Sequence, residues 1–210
     1  MIAVIDVTGN NLTSIANALE RLGCTSCMTH DPKIIERASH VILPGVGTMG
    51  AAMQALREHK LIDVLRSLTQ PLLGICVGMQ LLFEHSEEGN EEGVAGLGLL
   101  PGQVRRLPSG PSFSIPHMGW NDLRWSSDCS LKKGLSDQDY FYFVHSYAVL
   151  SQDHSIARCR YSTDFAAVIQ KDHIYGVQFH PEKSARAGMT LLHNFLTLTV
   201  TTNVIFSKKN

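Results

Sequence analysis

The stretch GICVGMQLLF, residues 74–83, sets a cysteine between two glycines where an apolar run becomes a helical pattern. PLLGIC, residues 71–76, reads as a buried strand, and VGMQLLFEHS, residues 77–86, as the helix it enters. A strand that passes straight into a helix is the repeating joint of an α/β protein.

The joint recurs upstream. IAVIDV is a β-branched run, TGNN a turn, and LTSIANALERLG places Leu12, Ile15, Ala16, Leu19 and Leu22 at helical spacing before Gly23 stops it. TSCMTH supplies a second strand, DPKIIERA a short helix with Pro32 in its first turn, and HVILPG a third strand ending in a glycine loop. MGAAMQALREHKLIDVLRSL is expected to be helical and leads to the strand of the opening stretch. The alternation predicts a mostly parallel, doubly wound sheet with helices on both faces.

Downstream of Ser86 the texture changes. After the Gly-rich EEGVAGLGLLPG come strand-like QVRRLP, NDLRW, YFYFVHSYAVL, SIARCRY, AAVIQ and IYGVQF, expected as hairpins that extend the same sheet with antiparallel strands. AGMTLLHNFLTLT reads as a closing helix. Without a linker or repeat, residues 1–200 are expected to form one domain, with 201–210 an unassigned tail.

Composition narrows the function classes. The 210 residues are 44% hydrophobic and 18% charged with a formal net charge of -1, enough for one substantial core and ill suited to nucleic acid or an anionic membrane. The N-terminal MIAVIDVTGN lacks a basic leader, and no apolar run reaches the roughly 20 residues of a membrane span, so a cytoplasmic protein is expected. Five scattered cysteines form no disulfide framework and are expected as thiols. Cys24 and Cys27 form C-x-x-C, but on a strand residues three apart face opposite ways, and no second Cys/His cluster completes a metal site. No cofactor is expected.

A direct strand-to-helix turn at Cys76 forces strained backbone and projects the side chain from the sheet edge, the geometry of a nucleophile elbow. The N-terminus of the following helix favours a thiolate, and the N–H of Val77 is a candidate oxyanion donor. The competing reading is a small apolar residue packed between strand and helix. VQFHPEKS supplies a partner. Pro181 holds His180 extended, and Glu182, two residues on, is expected on the same side, able to orient the imidazole. A solvated surface turn is the alternative. In LPGVG, the backbone at Val46 and Gly47 offers a second oxyanion donor, or forms a plain glycine turn.

LPGVGT, LGICVGMQLLFE, PHMGWN, YFVHSYAV and GVQFHPEKS, in this order, resemble the class I glutamine amidotransferases from Ile2 to about Leu196. The resemblance implies that Cys76 is the nucleophile, His180 the base and acid and Glu182 its orienting group, with L-glutamine as substrate. It also implies substrate contacts from Gln80, Glu88, Ser146 and Tyr147, with Glu88 in line with Gln80 and Glu84 if the helix persists. The similarity is greatest to members that pass ammonia to a barrel-shaped cyclase subunit making imidazole glycerol phosphate in histidine biosynthesis. It assigns that contact to Met118, Trp120, Asn121, Tyr142 and Lys183. Thr8 departs from the glycine-rich first loop of many relatives. A stand-alone γ-glutamyl cysteine hydrolase, the glutaminase subunit of another ammonia-using synthase and a non-catalytic interaction module remain as alternatives.

Overall fold

The computed structural model describes residues 1–6, 12–151 and 153–199. The expectations about Thr8 and the tail 201–210 lie outside the described residues. The chain opens with β1 (Ile2–Ile5), α1 (Thr13–Arg21), β2 (Ser26–Thr29), α2 (Pro32–Arg37), β3 (His40–Gly45), α3 (Met49–Glu58), α4 (Ile62–Ser67), β4 (Leu72–Cys76) and α5 (Val77–Leu81). It continues through β5 (Phe83–Ser86), β6 (Val94–Ala95), β7 (Leu100–Arg106), β8 (His117–Asp122) and β9 (Arg124–Trp125). β10 (Tyr140–His145), β11 (Tyr147–Val149), β12 (Ser155–Arg160), β13 (Asp164–Lys171), β14 (Ile174–Val177) and α6 (Ala185–Leu196) complete it.

The main sheet runs β2-β1-β3-β4-β14-β13-β12-β9. From β2 to β14 neighbours are parallel, and β13, β12 and β9 continue it antiparallel. Strand order reverses at β1, so right-handed crossovers put α1 on one face and α2, α3 and α4 on the other. Strands covered on both faces need apolar side chains throughout, and Ala3, Val4, Ile5, Val41, Ile42, Leu43, Leu72 and Leu73 are all fully buried. Local capping fits the helix starts: the Asp31 carboxylate accepts the Lys33 N–H at 2.9 Å, and the Thr48 hydroxyl accepts that of Ala51 at 3.3 Å.

Three expectations need correction. The long helical stretch after Thr48 is two helices, because Lys60 adopts φ 56° and closes α3 in a Schellman motif. The Leu61 N–H bonds to Leu56 O at 2.8 Å and that of Lys60 to Arg57 O at 3.0 Å, while Leu61 buries its side chain. Lysine instead of glycine at the left-handed position hides this stop in the sequence. The helix after Cys76 also ends early, at Leu81. Backbone N–H groups of Leu97 and Leu99 take the carbonyls of Leu81 and Leu82 at 2.8 and 2.9 Å, and Phe83 onward pairs with β7 instead. Finally, the downstream strands do not all extend one sheet: β11-β7-β5-β6 make a second sheet and β8 and β10 a separate antiparallel pair.

Candidate active site

Cys76 ends β4 at φ 55°, ψ −112°, a conformation that costs an L-residue about 1–3 kcal/mol and survives only where its surroundings enforce it. The enforcement is close backbone packing. A Cβ on Gly78 would lie 1.8 Å from the Leu43 carbonyl oxygen, and one on Gly74 2.6 Å from that of Gly78, so α5 sits directly on β3 and β4. The elbow therefore turns with its sulfur at the strand ends. The expected helix dipole is slight, since α5 spans only five residues; its free N-terminal N–H groups remain.

β14 lies parallel to β4 with Val177 opposite Ile75. The chain beyond β14 therefore runs past Cys76 and delivers His180, whose N–H is pinned to Tyr142 O at 2.9 Å. His180 Nδ1 meets Glu182 Oε1 at 2.9 Å, with both side chains largely buried. His180 is extended, at φ −99° and ψ 98°, but residues 181–183 form a 3₁₀ turn. The turn, not extended-chain alternation, brings Glu182 back to the ring. Glu182 Oε2 is buried and has no hydrogen-bond partner among the described residues. Burial alone would push the His180 imidazolium down, but its interactions with the Cys76 sulfur and the Glu182 carboxylate outweigh that and hold it up at about 10.

Cys76 and His180 line one cavity of about 370 Å³, within the range of small-molecule sites. Val46, Gly47 and Val77 line it where β3 and β4 end, Gln80 and Glu88 from α5 and beyond β5, and Ser146 and Tyr147 between β10 and β11. Glu88 arrives by a route the helical spacing does not describe: β5 intervenes, and its Oε2 accepts the Met49 N–H at 2.6 Å at the start of α3. Among the described residues no group of three or more His, Cys, Asp or Glu could hold a metal ion, and no helix is long and apolar enough to cross a membrane. All five cysteines are free thiols.

A cysteine on a strained elbow, an imidazole–carboxylate pair beside it and backbone N–H groups around a small cavity suit attack on a carbonyl carbon. The family described as glutamine amidotransferase class-I matches residues 3–198. The chain belongs to this family. It is a glutamine-hydrolysing enzyme. A relative from Legionella pneumophila (strain Lens), named imidazole glycerol phosphate synthase subunit HisH 2, is 59% identical over 94% of this chain and 98% of its own. A Haemophilus influenzae (strain ATCC 51907 / DSM 11121 / KW20 / Rd) protein named imidazole glycerol phosphate synthase subunit HisH is 47% identical over 93% of this chain and 96% of its own. Among solved structures, one described as a glutamine amidotransferase superposes with TM-score 0.70 at 22% identity, covering 93% of this chain and 96% of that one. A Thermotoga maritima protein described as a glutamine amidotransferase gives TM-score 0.65 at 16% identity, covering 93% of this chain and 95% of its own. Both structures share the fold.

The amidotransferase chain also holds residues that the sequence patterns do not single out. Gln178, fully buried, donates its Nε2–H to Cys76 Sγ at 3.8 Å. Gln80 Nε2 donates to Tyr147 O at 2.8 Å and to Gln178 Oε1 at 3.1 Å. Tyr147 O also faces His145 Nδ1 at 2.9 Å, so that nitrogen carries the proton, and His145 Nε2 then accepts from His117 Nδ1 at 3.1 Å. Burial holds both imidazoles down, His117 to about 4 and His145 to about 3. The available signal was spacing: Gln178 precedes His180 by two residues just beyond β14.

In the antiparallel β8–β10 pair, Met118 and Trp120 project outward, 67% and 52% exposed, and Trp120 packs edge-on against Tyr142 opposite it. Lys183 is exposed as well. Asn121 does not share their face. Alternation turns it inward, where Nδ2 donates to Arg160 O at 3.0 Å and to His117 Nε2 at 3.4 Å.

Proposed function

We propose that the chain is the glutaminase subunit of an imidazole glycerol phosphate synthase, hydrolysing L-glutamine at Cys76 and passing ammonia to a cyclase subunit in the cytoplasm. The observation that carries the chemistry is Cys76 on its elbow, sharing one cavity with a buried His180–Glu182 pair. The names of the Legionella and Haemophilus relatives support the partner.

His180 takes the proton of Cys76, and the sulfur attacks the side-chain amide carbon of glutamine. N–H groups at Val77 and at Val46 or Gly47 receive the negative charge that builds on the oxygen. His180 then protonates the departing nitrogen, ammonia leaves and a thioester remains. Water, activated by the same imidazole, attacks the thioester, and glutamate departs as the thiol is restored. Glu182 keeps the ring oriented throughout. In this reading Glu88 holds the substrate ammonium group, and Gln80, Ser146 and Tyr147, which line the same cavity, contact the rest. Ammonia released to water is protonated and lost as a nucleophile, which favours a docked consumer. The outward face of Met118, Trp120 and Tyr142, with exposed Lys183, supports a docking surface for that cyclase, taken here as barrel-shaped.

An electrophilic glutamine analogue tests this reading. Labelling at Cys76, and ammonia release that rises on adding the cyclase, are the expected results. Full activity of the chain alone would favour a stand-alone hydrolase, and absence of labelling with the cyclase present would remove the amidase reading.

A further inference from the structure

Cys76 receives a hydrogen bond from a side chain outside the triad. Gln178 is fully buried and its Nε2 lies 3.8 Å from Sγ. Which end of its amide faces the sulfur is decided by neighbours. Both N–H groups of Gln80 are in use, one to the Tyr147 carbonyl, which can only accept, and one to Gln178 Oε1. Gln178 must therefore present oxygen to Gln80 and N–H to the sulfur. The backbone fixes the reach, since the parallel pairing of Val177 with Ile75 carries Gln178 alongside Cys76. Its own N–H is tied to Ala167 O at 2.9 Å.

We propose that Gln178 is a positioning residue for the reaction, holding the Cys76 sulfur in its attack orientation and stabilising the negative charge it carries, through an amide whose direction Gln80 and the Tyr147 carbonyl dictate. This rests on the reading of Cys76 as nucleophile. Once His180 has taken the thiol proton, the Gln178 N–H is a charge-assisted donor to the sulfur, and it acts from outside the cavity that Cys76 and His180 share, which Gln178 does not line. The titratable groups that share the cavity with the sulfur are His180, with Glu182 behind it, His145, Tyr147 and Glu88. The Gln178 amide bonds to none of these; its partners are Gln80 and Cys76.

The test uses Gln178→Met and Gln178→Leu in the full chain. Both lose the donor while differing in shape. Iodoacetamide alkylation of Cys76 at fixed pH, glutaminase kcat and KM with the cyclase present, and melting temperature are measured for each. The expected result is a fall of about tenfold or more in alkylation rate and in kcat, similar in the two variants, with KM within about twofold of wild type. Losses that instead follow each variant's melting temperature, or alkylation and kcat at wild-type values, would overturn the proposal. Labelling of wild-type Cys76 by the glutamine analogue separates the two levels. With wild type labelled, unchanged rates in the variants sink only the role of Gln178, whereas an unlabelled wild type sinks the parent reading and this one with it.

Discussion

Gly78→Ala is the sharpest probe of how the elbow is built. Its Cβ would sit 1.8 Å from Leu43 O and 2.8 Å from Leu43 C, both backbone atoms of β3. Ordinary contact begins at 3.4 Å, so the two segments must part by about 1.6 Å, the difference from 1.8 Å. β3 is paired on both sides, to β1 and β4, and cannot yield without breaking two ladders. α5 moves instead, carrying Cys76 and the Val77 N–H with it. Overpacking of this kind costs about 1–3 kcal/mol or more. Replacing glycine in a helix returns at most about 1 kcal/mol. A net loss of about 2 kcal/mol lowers the melting temperature of a chain this size by about 4–8 °C. Misplacing the nucleophile by more than about 1 Å is expected to lower kcat at least about a hundredfold. Differential scanning calorimetry and ammonia-release kinetics measure both, with Gly23→Ala as the control. Gly23 has φ +74° but nothing within 4 Å of the new Cβ, so that variant should lose about 1 kcal/mol and keep wild-type kcat. Gly78→Ala with wild-type melting and turnover would refute the account of the elbow as a contact-enforced strain.

Glu182→Gln keeps an acceptor for His180 but removes the charge, so the imidazolium should titrate well below about 10 and kcat should fall at least about tenfold. Because the folded-state value lies above the ordinary 6.5, the stability advantage of wild type over this variant is full below pH 6.5 and shrinks as pH rises toward about 10, as denaturation across that range would record. His117 and His145 behave oppositely. Held at about 4 and about 3, they favour the fold above pH 6.5, and stability should drop by about 1.4 kcal/mol per pH unit per imidazole as pH falls from 6.5 toward those values. His145→Gln should flatten that acid limb in urea titrations at pH 7 and pH 5. Trp120→Ala, at a half-exposed position, should leave the melting temperature within about 2 °C while weakening cyclase binding by about 2 kcal/mol in calorimetric titration.

The alternating β-α pattern from Ile2 to Cys76 was legible because each unit is built from neighbours in sequence: an apolar run, a stop, an amphipathic stretch. The same holds for the elbow, whose glycines flank the cysteine, and for His180 with Glu182 two residues on. Tertiary structure decided what depends on distant chain. The loop at residues 96–100 captures the carbonyls that would have prolonged α5, and this sends Glu88 to the cavity through β5 rather than along a helix. Strands that look alike in sequence sort into three separate sheets. Trp120 is outward because β8 pairs with β10 in a two-stranded sheet that, among the described residues, leaves this side chain half-exposed. Gln178 reaches Cys76 across 102 residues and His145 meets His117 across 28, and only the folded geometry fixes which atoms donate. Local order is written in periodicity and turn residues, whereas the pairing of groups far apart in the chain is settled by packing and by the need to satisfy every buried polar atom.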